Sequence, residues 1–520
     1  MKVIAAETMQ ELDLKAITAF GIPGLTLMEN AGRCCTDEII AKFGQSKEKR
    51  VVVFAGKGNN GGDGYVIARM LAEKGWNVNV FVLGERGQIN GDAAFNLQHL
   101  DPAFVIFCPA EEQLPTLLRE KILNSDVIVD ALLGTGLNNN VSGNYCEVIE
   151  LINASAKPVV AVDIPSGVHG TSGKIMGDAV QARITVTFAC AKLGQVLFPG
   201  AGQIGRLVTA DIGIPNELLD NAPGYDFLDA ATVCPLLLRR DRQAHKGHFG
   251  HCLIIAGSTG KTGAAALSAN SAVRSGSGLV TLAVPASLNQ ILEVKTTEAM
   301  TFPLPDSDLG YLGDSALPVI RKLLIGKDTL AIGPGLGSHP ATSSLVRALI
   351  ESADVPMVID ADGLNALAED IGVLKRKRSS AVVLTPHPGE MARMLGVSVS
   401  ELEDRRIPAA QEFARDFGVY LVLKGARTII AAPTGEIAIN GSGNPGMATG
   451  GMGDVLTGII ASLLGQGYHA WDACRLGVFL HGYAADLVAK NKGEIGICAT
   501  DVQEMLPYAS NRLYTTLASQ

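Results

Sequence analysis

The stretch Asn444-Pro-Gly-Met-Ala-Thr-Gly-Gly-Met-Gly-Asp454-Val-Leu-Thr-Gly458 joins a glycine-rich loop to a helix. Apolar residues recur with helical spacing over 455–464, so one face of this helix should pack on a core. The glycines before Asp454 leave backbone N–H groups exposed at the start of the helix, where the helix dipole also favours anions. The stretch therefore predicts a phosphate site built on a core helix.

Asp454 is an unexpected residue in a phosphate site, because a carboxylate repels phosphate. Two explanations are open. The aspartate could cap the N-terminus of the helix, as aspartates commonly do. It could instead take a proton from a hydroxyl group beside the phosphate, which is the task of a general base.

The rest of the chain alternates short apolar runs with segments of helical spacing. The predicted strands of the first half cover residues 51–55, 78–83, 105–107, 127–131, 159–163 and 185–188. Those of the second half cover 252–256, 279–284, 329–332, 357–360, 381–385 and 419–424, followed by a hairpin of 427–432 and 436–440. This alternation predicts an α/β fold of parallel sheets with helices on both faces. Turn residues between 214 and 229 place a domain boundary there, and we expect domains of residues 1–222 and 223–520.

The composition favours a compact cytoplasmic enzyme. Hydrophobic residues make up 47% of the chain and charged residues 18%, which is typical of a globular protein and not of a disordered one. A net charge of −9 offers no general attraction for nucleic acid or anionic membrane, and no apolar run reaches the length of a membrane helix. The nine cysteines form no CxxC pair, which argues against a zinc site and indicates a reducing compartment.

Three loops of the first half follow predicted strands and should meet at one edge of the sheet. Residues 56–61 match the GxGxxG pattern of a dinucleotide-binding turn, but this pattern alone is weak. Asn60, Asp130 and Ser166 together offer an amide, a carboxylate and a hydroxyl oxygen, which are ligands for a hard cation. A purely structural turn is the competing interpretation.

Asp163 and Lys192 are the charged candidates for proton transfer in the first half. Asp163 ends an apolar strand, where it could act as an acid or base or form an Asx-turn with the following residues. Lys192 follows the 185–188 strand and could be a cation of the same site or a surface residue.

The loops of the second half also follow predicted strands. Gly257-Ser-Thr-Gly-Lys261-Thr262 is not a P-loop, because that motif requires glycine where Ile255 stands. His387 lies between two prolines and is a poor core residue, which favours a ligand contact. Lys424-Gly425 at a strand end suits a nucleotide phosphate, with a simple turn as the alternative.

Eight motifs in this order resemble those of the bifunctional NAD(P)H-hydrate repair enzymes. Four lie in the first half: Leu27-Met-Glu-Asn-Ala-Gly32, Gly58-Asn-Asn-Gly-Gly-Asp-Gly64, Asp130-Ala-Leu-Leu-Gly-Thr-Gly136 and Asp163-Ile-Pro-Ser-Gly167. Four lie in the second half: Gly333-Pro-Gly-Leu-Gly337, Thr385-Pro-His-Pro-Gly-Glu390, Lys424-Gly-Ala-Arg-Thr428 and the 444–458 stretch. The resemblance covers essentially the whole chain.

The resemblance implies a Rossmann-like N-terminal epimerase domain and a ribokinase-like C-terminal dehydratase domain. The substrates would be NADHX and NADPHX, in which water has added across the C5–C6 double bond of the reduced nicotinamide ring. The first domain would interconvert the R and S epimers at C6. The second would dehydrate the S form at the expense of ADP or ATP, with Mg²⁺ accompanying the nucleotide and a phosphorylated intermediate.

The resemblance also assigns residues to each site. In the epimerase the hydrate would contact Asn59, Asn60, Gly61, Gly62, Asp63, Gly134, Thr135, Gly136 and Asp163, and K⁺ would be held by Asn60, Asp130 and Ser166. In the dehydratase the hydrate would lie near Ala264, Gly335, His387 and Asp454, and the nucleotide near Lys424, Gly425, Ala426, Arg427, Thr428 and Gly453. Asp454, Asp163 and Lys192 would be the catalytic residues. Thr259 and Lys261 make the loop before Ala264 more basic than the resemblance leads one to expect.

A competing hypothesis keeps the second domain as a ribokinase-like kinase of a vitamin precursor and the first as a non-catalytic nucleotide-binding domain. A homo-oligomer is expected, with NADHX, NADPHX and ADP or ATP as small-molecule partners and with neither nucleic acid nor membrane as a partner.

Overall fold

The computed structural model describes residues 1–44, 48–110, 112–306 and 310–518. These residues form two compact units, one of Lys2–Tyr225 and one of Asp226–Gln520 together with Met1. Within the described ranges, no helix combines the length and the apolar character needed to cross a membrane.

The N-terminal unit alternates strands and helices. Its strands are β1 (Lys2–Ile4), β2 (Arg50–Ala55), β3 (Asn77–Leu83), β4 (Val105–Cys108), β5 (Val127–Ala131), β6 (Val159–Val162), β7 (Ile184–Phe188), β8 (Ala191–Lys192) and β9 (Arg206–Ala210). Its helices are α1 (Ala6–Thr18), α2 (Gly24–Phe43), α3 (Asn59–Glu73), α4 (Gly91–Gln98), α5 (Thr116–Asn124), α6 (Asn144–Ala154), α7 (Leu193–Val196) and α8 (Asn216–Asn221).

A parallel sheet of order β4-β3-β2-β5-β6-β7-β9 forms the centre of this unit. The apolar runs of β2 and β5 are buried on both faces, by α1–α4 on one side and by α5 and α6 on the other. The chain passes from β2 outward through β3 and β4 and then returns to place β5 on the other side of β2. The loops after β2 and β5 therefore diverge, and they open a crevice at the carboxyl ends of these strands.

A second, short parallel pair joins the beginning of this unit to a late segment. Strand β1 pairs with β8, and Ile4 is the direct neighbour of Lys192. Helix α1 starts two residues after Ile4, so this pairing fixes where the helix begins.

The C-terminal unit repeats the alternation with more helices. Its strands are β10 (Tyr225–Leu228), β11 (His251–Ile255), β12 (Leu279–Pro285), β13 (Met300–Leu304), β14 (Thr329–Ile332), β15 (Met357–Ile359), β16 (Val382–Leu384), β17 (Tyr420–Leu423), β18 (Ile429–Ala431) and β19 (Ile437–Asn440). Its helices are α9 (Ala230–Val233), α10 (Thr262–Arg274), α11 (Asn289–Lys295), α12 (Leu317–Leu323), α13 (Pro340–Ser352), α14 (Asp362–Glu369), α15 (Val373–Arg376), α16 (Pro388–Leu395), α17 (Val399–Asp404), α18 (Arg406–Phe417), α19 (Met452–Gly465), α20 (Ala470–Lys492) and α21 (Ala499–Ala518).

The sheet of this unit runs β13-β12-β11-β14-β15-β16-β17 in parallel. Strands β18 and β19 follow as the predicted antiparallel hairpin, and β10 pairs with β19. Helices α10, α19, α20 and α21 share one apolar core on a face of the sheet. The chain again reverses its direction of travel between β11 and β14, which creates a crevice beyond their carboxyl ends.

Both sheets confirm the predicted α/β class, but the predicted starts of two helices are wrong. Helix α3 begins at Asn59, so residues 59–63 are its first turn and not a loop. Helix α19 begins at Met452, three residues before the expected start. In both helices the glycines permit close packing: a Cβ on Gly61 would lie 2.1 Å from the carbonyl oxygen of Gly56, and one on Gly458 would lie 2.2 Å from that of Ser268.

Candidate functional site

A cavity of about 740 Å³ lies at the crevice of the N-terminal unit. At its base the ends of β2 and β5 are joined by a hydrogen bond of 3.0 Å from Gly56 N to Ala131 O. Seven of the residues predicted to contact the hydrate line this cavity, namely Asn59, Asn60, Asp63, Gly134, Thr135, Gly136 and Asp163. Gly61 and Gly62 do not line it; they face the packed side of α3, where Cβ atoms would meet Gly56 and Met28.

Asp163 and Lys192 form a buried ion pair beside this cavity. Lys192 Nζ lies 2.5 Å from Asp163 Oδ1 and also donates to Thr187 Oγ1 (2.9 Å) and Phe188 O (3.0 Å). The lysine is fully buried, so the alternative of a surface residue is wrong. Asp163 has a φ of +62°, which is uncommon for a non-glycine residue, and it accepts from Thr187 Oγ1 and Phe188 N. Its carboxylate is therefore directed toward β7 and not into an Asx-turn with residues 164–166.

The three predicted cation ligands meet around the backbone of Leu133. Ser166 donates to both oxygens of Asp130, from Oγ to Oδ1 at 2.6 Å and from N to Oδ2 at 2.8 Å. Asn60 Nδ2 donates to Leu133 O at 3.1 Å, and Ser166 Oγ accepts from Leu133 N at 2.9 Å. Burial raises the pKa of Asp130 to about 6, and the hydrogen bonds from Ser166 oppose that rise. This oxygen-rich group fits a hard cation, which would relieve the cost of ionising Asp130.

Two more carboxyl groups belong to the same cavity. Asp63, on α3, is buried, and its pKa is raised well above the ordinary value because of burial and repulsion from Asp163 and Asp13. Asp13, on α1, lines the cavity wall, and burial raises its pKa to about 6. Asp13 was not among the predicted site residues, because the sequence of an amphipathic helix does not show which loop an aspartate on it will face.

In the C-terminal unit the loops after β11 and β14 converge as the topology requires. Gly257 N donates to Pro334 O at 2.9 Å, and Ser258 Oγ donates to Gly335 O at 2.8 Å. Gly335 has a φ of +64°, and a Cβ there would lie 3.0 Å from Ala264 Cβ. The structure therefore brings together Ala264 and Gly335, two of the residues predicted near the hydrate.

Asp454 lies in the first turn of α19, beside a second buried ion pair. The N-cap of this helix is Gly451, with a φ of +90°, so the interpretation of Asp454 as the cap is wrong. Burial and repulsion from Asp360 raise the pKa of Asp454 to about 6, partly offset by attraction to Lys424. Its carboxylate accepts no hydrogen bond from any residue within the described ranges. A half-buried carboxylate with these properties is suited to accept a proton.

Lys424 and Asp360 are the ion pair next to Asp454. Lys424 Nζ lies 2.8 Å from Asp360 Oδ1, and Thr457 Oγ1 donates to Asp360 Oδ2 at 2.7 Å. Burial works against the charge of Lys424, but attraction to Asp360 and Glu390 raises its pKa above the usual range. A Cβ on Gly453 would lie 3.3 Å from Lys424 Nζ, so the structure brings together Gly453 and Lys424 as predicted for the nucleotide site.

His387 has a structural role that the sequence did not reveal. It is the N-cap of α16, where its Nδ1 accepts from Gly389 N (3.0 Å) and Glu390 N (3.3 Å). Its side chain is 55% exposed, and Nε2 lies 3.4 Å from Glu390 Oε1. The exposed edge of the ring is accessible to a ligand, and the ligand contact of His387 stays a prediction.

The 424–428 loop is held by arginines. Arg427 has a φ of +62°, donates from Nη1 to Gly441 O at 2.8 Å and lies over the ring of Phe227. Thr428 Oγ1 donates to Gly425 O at 3.1 Å, and Arg406 Nη1 donates to Ala426 O at 3.1 Å. A nucleotide at this loop would therefore contact its backbone more readily than the Arg427 guanidinium.

Lys261, which makes the loop before Ala264 more basic than the resemblance implies, also has a charged partner. Lys261 Nζ lies 3.0 Å from Asp362 Oδ2, which accepts from Gly337 N at 2.8 Å. This pair connects three loops of the crevice. The roles of Asp360 and Asp362 depend on the packing of α19 and α10, which sequence spacing does not give.

Comparison with known proteins gives matches in both units. The family described as NAD(P)H-hydrate dehydratase matches residues 252–508, and the family described as YjeF-related protein N-terminus matches residues 24–194. A solved structure of the ADP/ATP-dependent NAD(P)H-hydrate dehydratase from Bacillus subtilis, co-crystallised with ATP/Mg²⁺, is 32% identical. That similarity covers 56% of this chain and 99% of the other, with a TM-score of 0.49.

Full-length relatives match both units at once. The chain is 45% identical over 523 aligned positions to the bifunctional NAD(P)H-hydrate repair enzyme Nnr of Moorella thermoacetica, covering 99% of this chain and 97% of the relative. It is 40% identical over 514 positions to the enzyme of the same name from Thermofilum pendens, with the same two coverages. These matches do not favour the alternative of a vitamin-precursor kinase with a non-catalytic first domain. The chain belongs to the family of bifunctional NAD(P)H-hydrate repair enzymes, which combine an epimerase domain with a dehydratase domain.

Proposed function

We propose that this chain returns hydrated NADH and NADPH to their functional forms by two reactions, each carried out by one unit. The N-terminal unit interconverts the R and S epimers at C6, and the C-terminal unit dehydrates the S epimer at the expense of ADP or ATP. The observation that carries the proposal is that each unit has a carboxylate next to a buried lysine–aspartate pair at the carboxyl ends of its parallel strands. Each unit thus has groups able to move a proton at the crevice where its strands end.

In the epimerase we assign proton transfer at C6 to Asp163. The ammonium group of Lys192 lies 2.5 Å from Asp163 Oδ1, and Asp163 itself lines the cavity. Lys192 itself does not line the cavity, so it acts on the reaction through Asp163. Asn59, Gly134, Thr135 and Gly136 would hold the hydrate by their polar and backbone groups.

We assign the cation site of the epimerase to Asn60, Asp130 and Ser166, with K⁺ as the ion. The supporting evidence is the donor set: a buried carboxylate, an amide and a hydroxyl group meet near the Leu133 carbonyl. K⁺ bound there would supply positive charge beside a cavity that otherwise carries several aspartates.

In the dehydratase, Asp454 takes the proton of the C6 hydroxyl while the hydroxyl oxygen attacks the terminal phosphorus of the nucleotide. The bond from that phosphorus to the bridging oxygen breaks, which leaves AMP from ADP, or ADP from ATP, and a phosphate ester at C6. The ring nitrogen then donates its electron pair as the C6–O bond breaks and phosphate leaves. Loss of a proton from C5 restores the double bond. Phosphate is a better leaving group than hydroxide, which explains why dehydration requires a nucleotide.

The start of α19 would stabilise the charge that develops on the transferred phosphoryl group. Backbone N–H groups of 451–453 lie at the positive end of a 14-residue helix. Lys424 and the 424–428 backbone are assigned to the nucleotide, with Ala264, Gly335 and His387 toward the hydrate. Mg²⁺ accompanying the nucleotide would neutralise charge on its phosphates.

A coupled assay on purified R-NADHX with ADP tests the whole proposal, with the absorbance of the reduced nicotinamide ring as the signal. We expect the wild-type chain to convert the R epimer to NADH faster than spontaneous epimerisation allows. Asp163→Asn should dehydrate the S epimer at the wild-type rate but leave the R epimer, whereas Asp454→Asn should equilibrate the epimers without forming NADH. Failure of the wild-type chain on pure S epimer with both ADP and ATP would refute the dehydratase assignment.

The cytoplasmic location and the homo-oligomer remain predictions. Light scattering of the purified full-length chain measures the subunit count directly.

A further inference from the structure

We propose that Asp13 is a second catalytic residue of the epimerase, which exchanges a proton with the ring nitrogen N1 of the hydrate while Asp163 serves the C6 hydroxyl. The inference rests on the proposed epimerase function and adds to it a residue from a different part of the chain. Asp13 lies on α1 and lines the same cavity as Asp163.

The position of α1 is fixed by contacts to the catalytic part of the unit. Strand β1 pairs with β8, which places Ile4 beside Lys192, the partner of Asp163. At the start of the helix, Ala6 N donates to Thr171 Oγ1 at 2.9 Å. Met9 and Ala16 are buried, and Asp13 lies one turn after Met9 and one turn before Ala16. The helix therefore directs Asp13 inward, although it is an acidic residue.

Asp13 also lacks the partners that a structural aspartate would have. Across residues 1–44, 48–110, 112–306 and 310–518, its carboxyl group accepts no hydrogen bond and forms no ion pair. The charged groups that face it are Lys192, Asp163 and Asp63. Burial raises the pKa of Asp13 to about 6. Attraction to Lys192 opposes this rise, and repulsion from Asp163 adds to it. A partly buried, unpartnered carboxyl group that holds a proton more readily than usual is suited to act as an acid.

Epimerisation requires such an acid. C6 of the hydrate bears both the hydroxyl oxygen and N1, and the electron pair of N1 is delocalised toward the carboxamide, so N1 leaves poorly unless it is protonated. In ring opening, Asp163 accepts the hydroxyl proton, the O–H electron pair forms an aldehyde C=O, and the C6–N1 pair moves to N1, which takes the proton of Asp13. After the aldehyde rotates, N1 adds to its other face and both protons return. All atoms and electrons are conserved, and no co-reactant is needed.

The test measures epimerisation by the full-length chain with Asp13→Asn, which keeps the size of the side chain but cannot carry the proton. We expect the kcat/KM of epimerisation to fall by roughly 10²–10⁴-fold. Glu11→Gln is the matched control, because it removes one negative charge from an exposed position of the same helix and should leave the rate unchanged. Dehydration of the S epimer by the same protein sample reports that the chain is intact.

The pH profile separates an acid from a structural residue. Wild-type epimerisation should decline above pH of about 6 as Asp13 loses its proton, and the residual rate of Asp13→Asn should not show that decline. Asp13→Glu should recover part of the rate. An Asp13→Asn rate within threefold of wild type, an unchanged pH profile, or failure of Asp13→Glu to recover activity would each overturn the assignment. If the wild-type chain does not interconvert the epimers, the proposed epimerase function fails instead.

Discussion

Replacing Asp454 by asparagine should make the dehydratase more stable while it removes most of its activity. The pKa of Asp454 is raised from 3.8 to about 6, mainly by burial. A rise of this size corresponds to about 3 kcal/mol of free energy against the ionised carboxylate in the folded state. The favourable interaction of this negative charge with the helix dipole of α19 offsets at most about 1 kcal/mol of that penalty. The net gain from Asp454→Asn is therefore about 2 kcal/mol at pH 8.

The gain should depend on pH in a defined direction. Below a pH of about 3.8 the carboxyl group is protonated in both the folded and the unfolded chain, so the substitution changes little. Above a pH of about 6 it is ionised in both states, so the full penalty applies to the wild type. Stabilisation by the asparagine should therefore be absent in acid and should grow as the pH rises through this range.

Calorimetry of the full-length chain at pH 8 measures this gain. Added ADP identifies the transition of the C-terminal unit, because a ligand raises the midpoint of the unit that binds it. For a unit of this size, about 2 kcal/mol raises Tm by roughly 3 °C. Asp416→Asn, at an exposed position of α18, is the matched control and should leave Tm unchanged.

Turnover is measured on the same samples with S-NADHX and ADP. Loss of a general base should lower kcat by roughly 10²–10⁴-fold, while the Kd of ADP changes little. A lower Tm at pH 8, or kcat near the wild-type value, would refute the interpretation of Asp454 as a base held at a cost in stability.

Four further outcomes are expected. Wild-type dehydration of the S epimer should rise with pH through about 6, because Asp454 must be ionised to accept a proton; a flat kcat profile from pH 5 to 8 would contradict this. Lys192→Met should abolish epimerisation and destabilise the N-terminal unit by about 3–5 kcal/mol, since Asp163 keeps its buried position without a cation, and calorimetry measures the loss. Epimerisation should be faster in K⁺ than in a tetramethylammonium buffer, and Asp130→Asn should remove that difference. Gly453→Ala should lower dehydration about tenfold, because its Cβ would lie 3.3 Å from Lys424 Nζ; unchanged initial rates would place the nucleotide elsewhere.

The sequence predicted the sheets well because buried parallel strands are nearly continuous apolar runs. It missed the short strands β1, β8 and β10, and it missed β9 and β13 for the opposite reason. Strand β9 is largely exposed and contains Arg206 and Thr209, and β13 lies at the edge of its sheet and contains Pro303. Strands β9 and β13 lack the continuous apolar pattern by which the buried strands of both sheets were found.

The sites were predicted to the extent that they are carried by loops after strands. Asp163 and Asp454 were found in this way; Asp163 forms a buried ion pair with Lys192, and Asp454 lies beside the pair of Lys424 and Asp360. Asp13 and Thr457 could not be found, because they lie within helices and their functional direction depends on how each helix packs. The starts of α3 and α19 were predicted too late because both helices have glycine in their first turn. From the sequence alone, a glycine that allows close packing within a helix cannot be distinguished from one that belongs to a loop.

The pairing of Ile4 with Lys192 has a consequence for how the chain folds during synthesis. The first strand has its partner almost two hundred residues later, so α1 cannot take its place until nearly all of the N-terminal unit has left the ribosome. Contacts of such long sequence separation form slowly, because the loop that they close must lose its entropy first. The wall of the epimerase cavity that carries Asp13 thus waits for residues 191–192, and the nascent chain gains this activity only when most of the N-terminal unit has been synthesised.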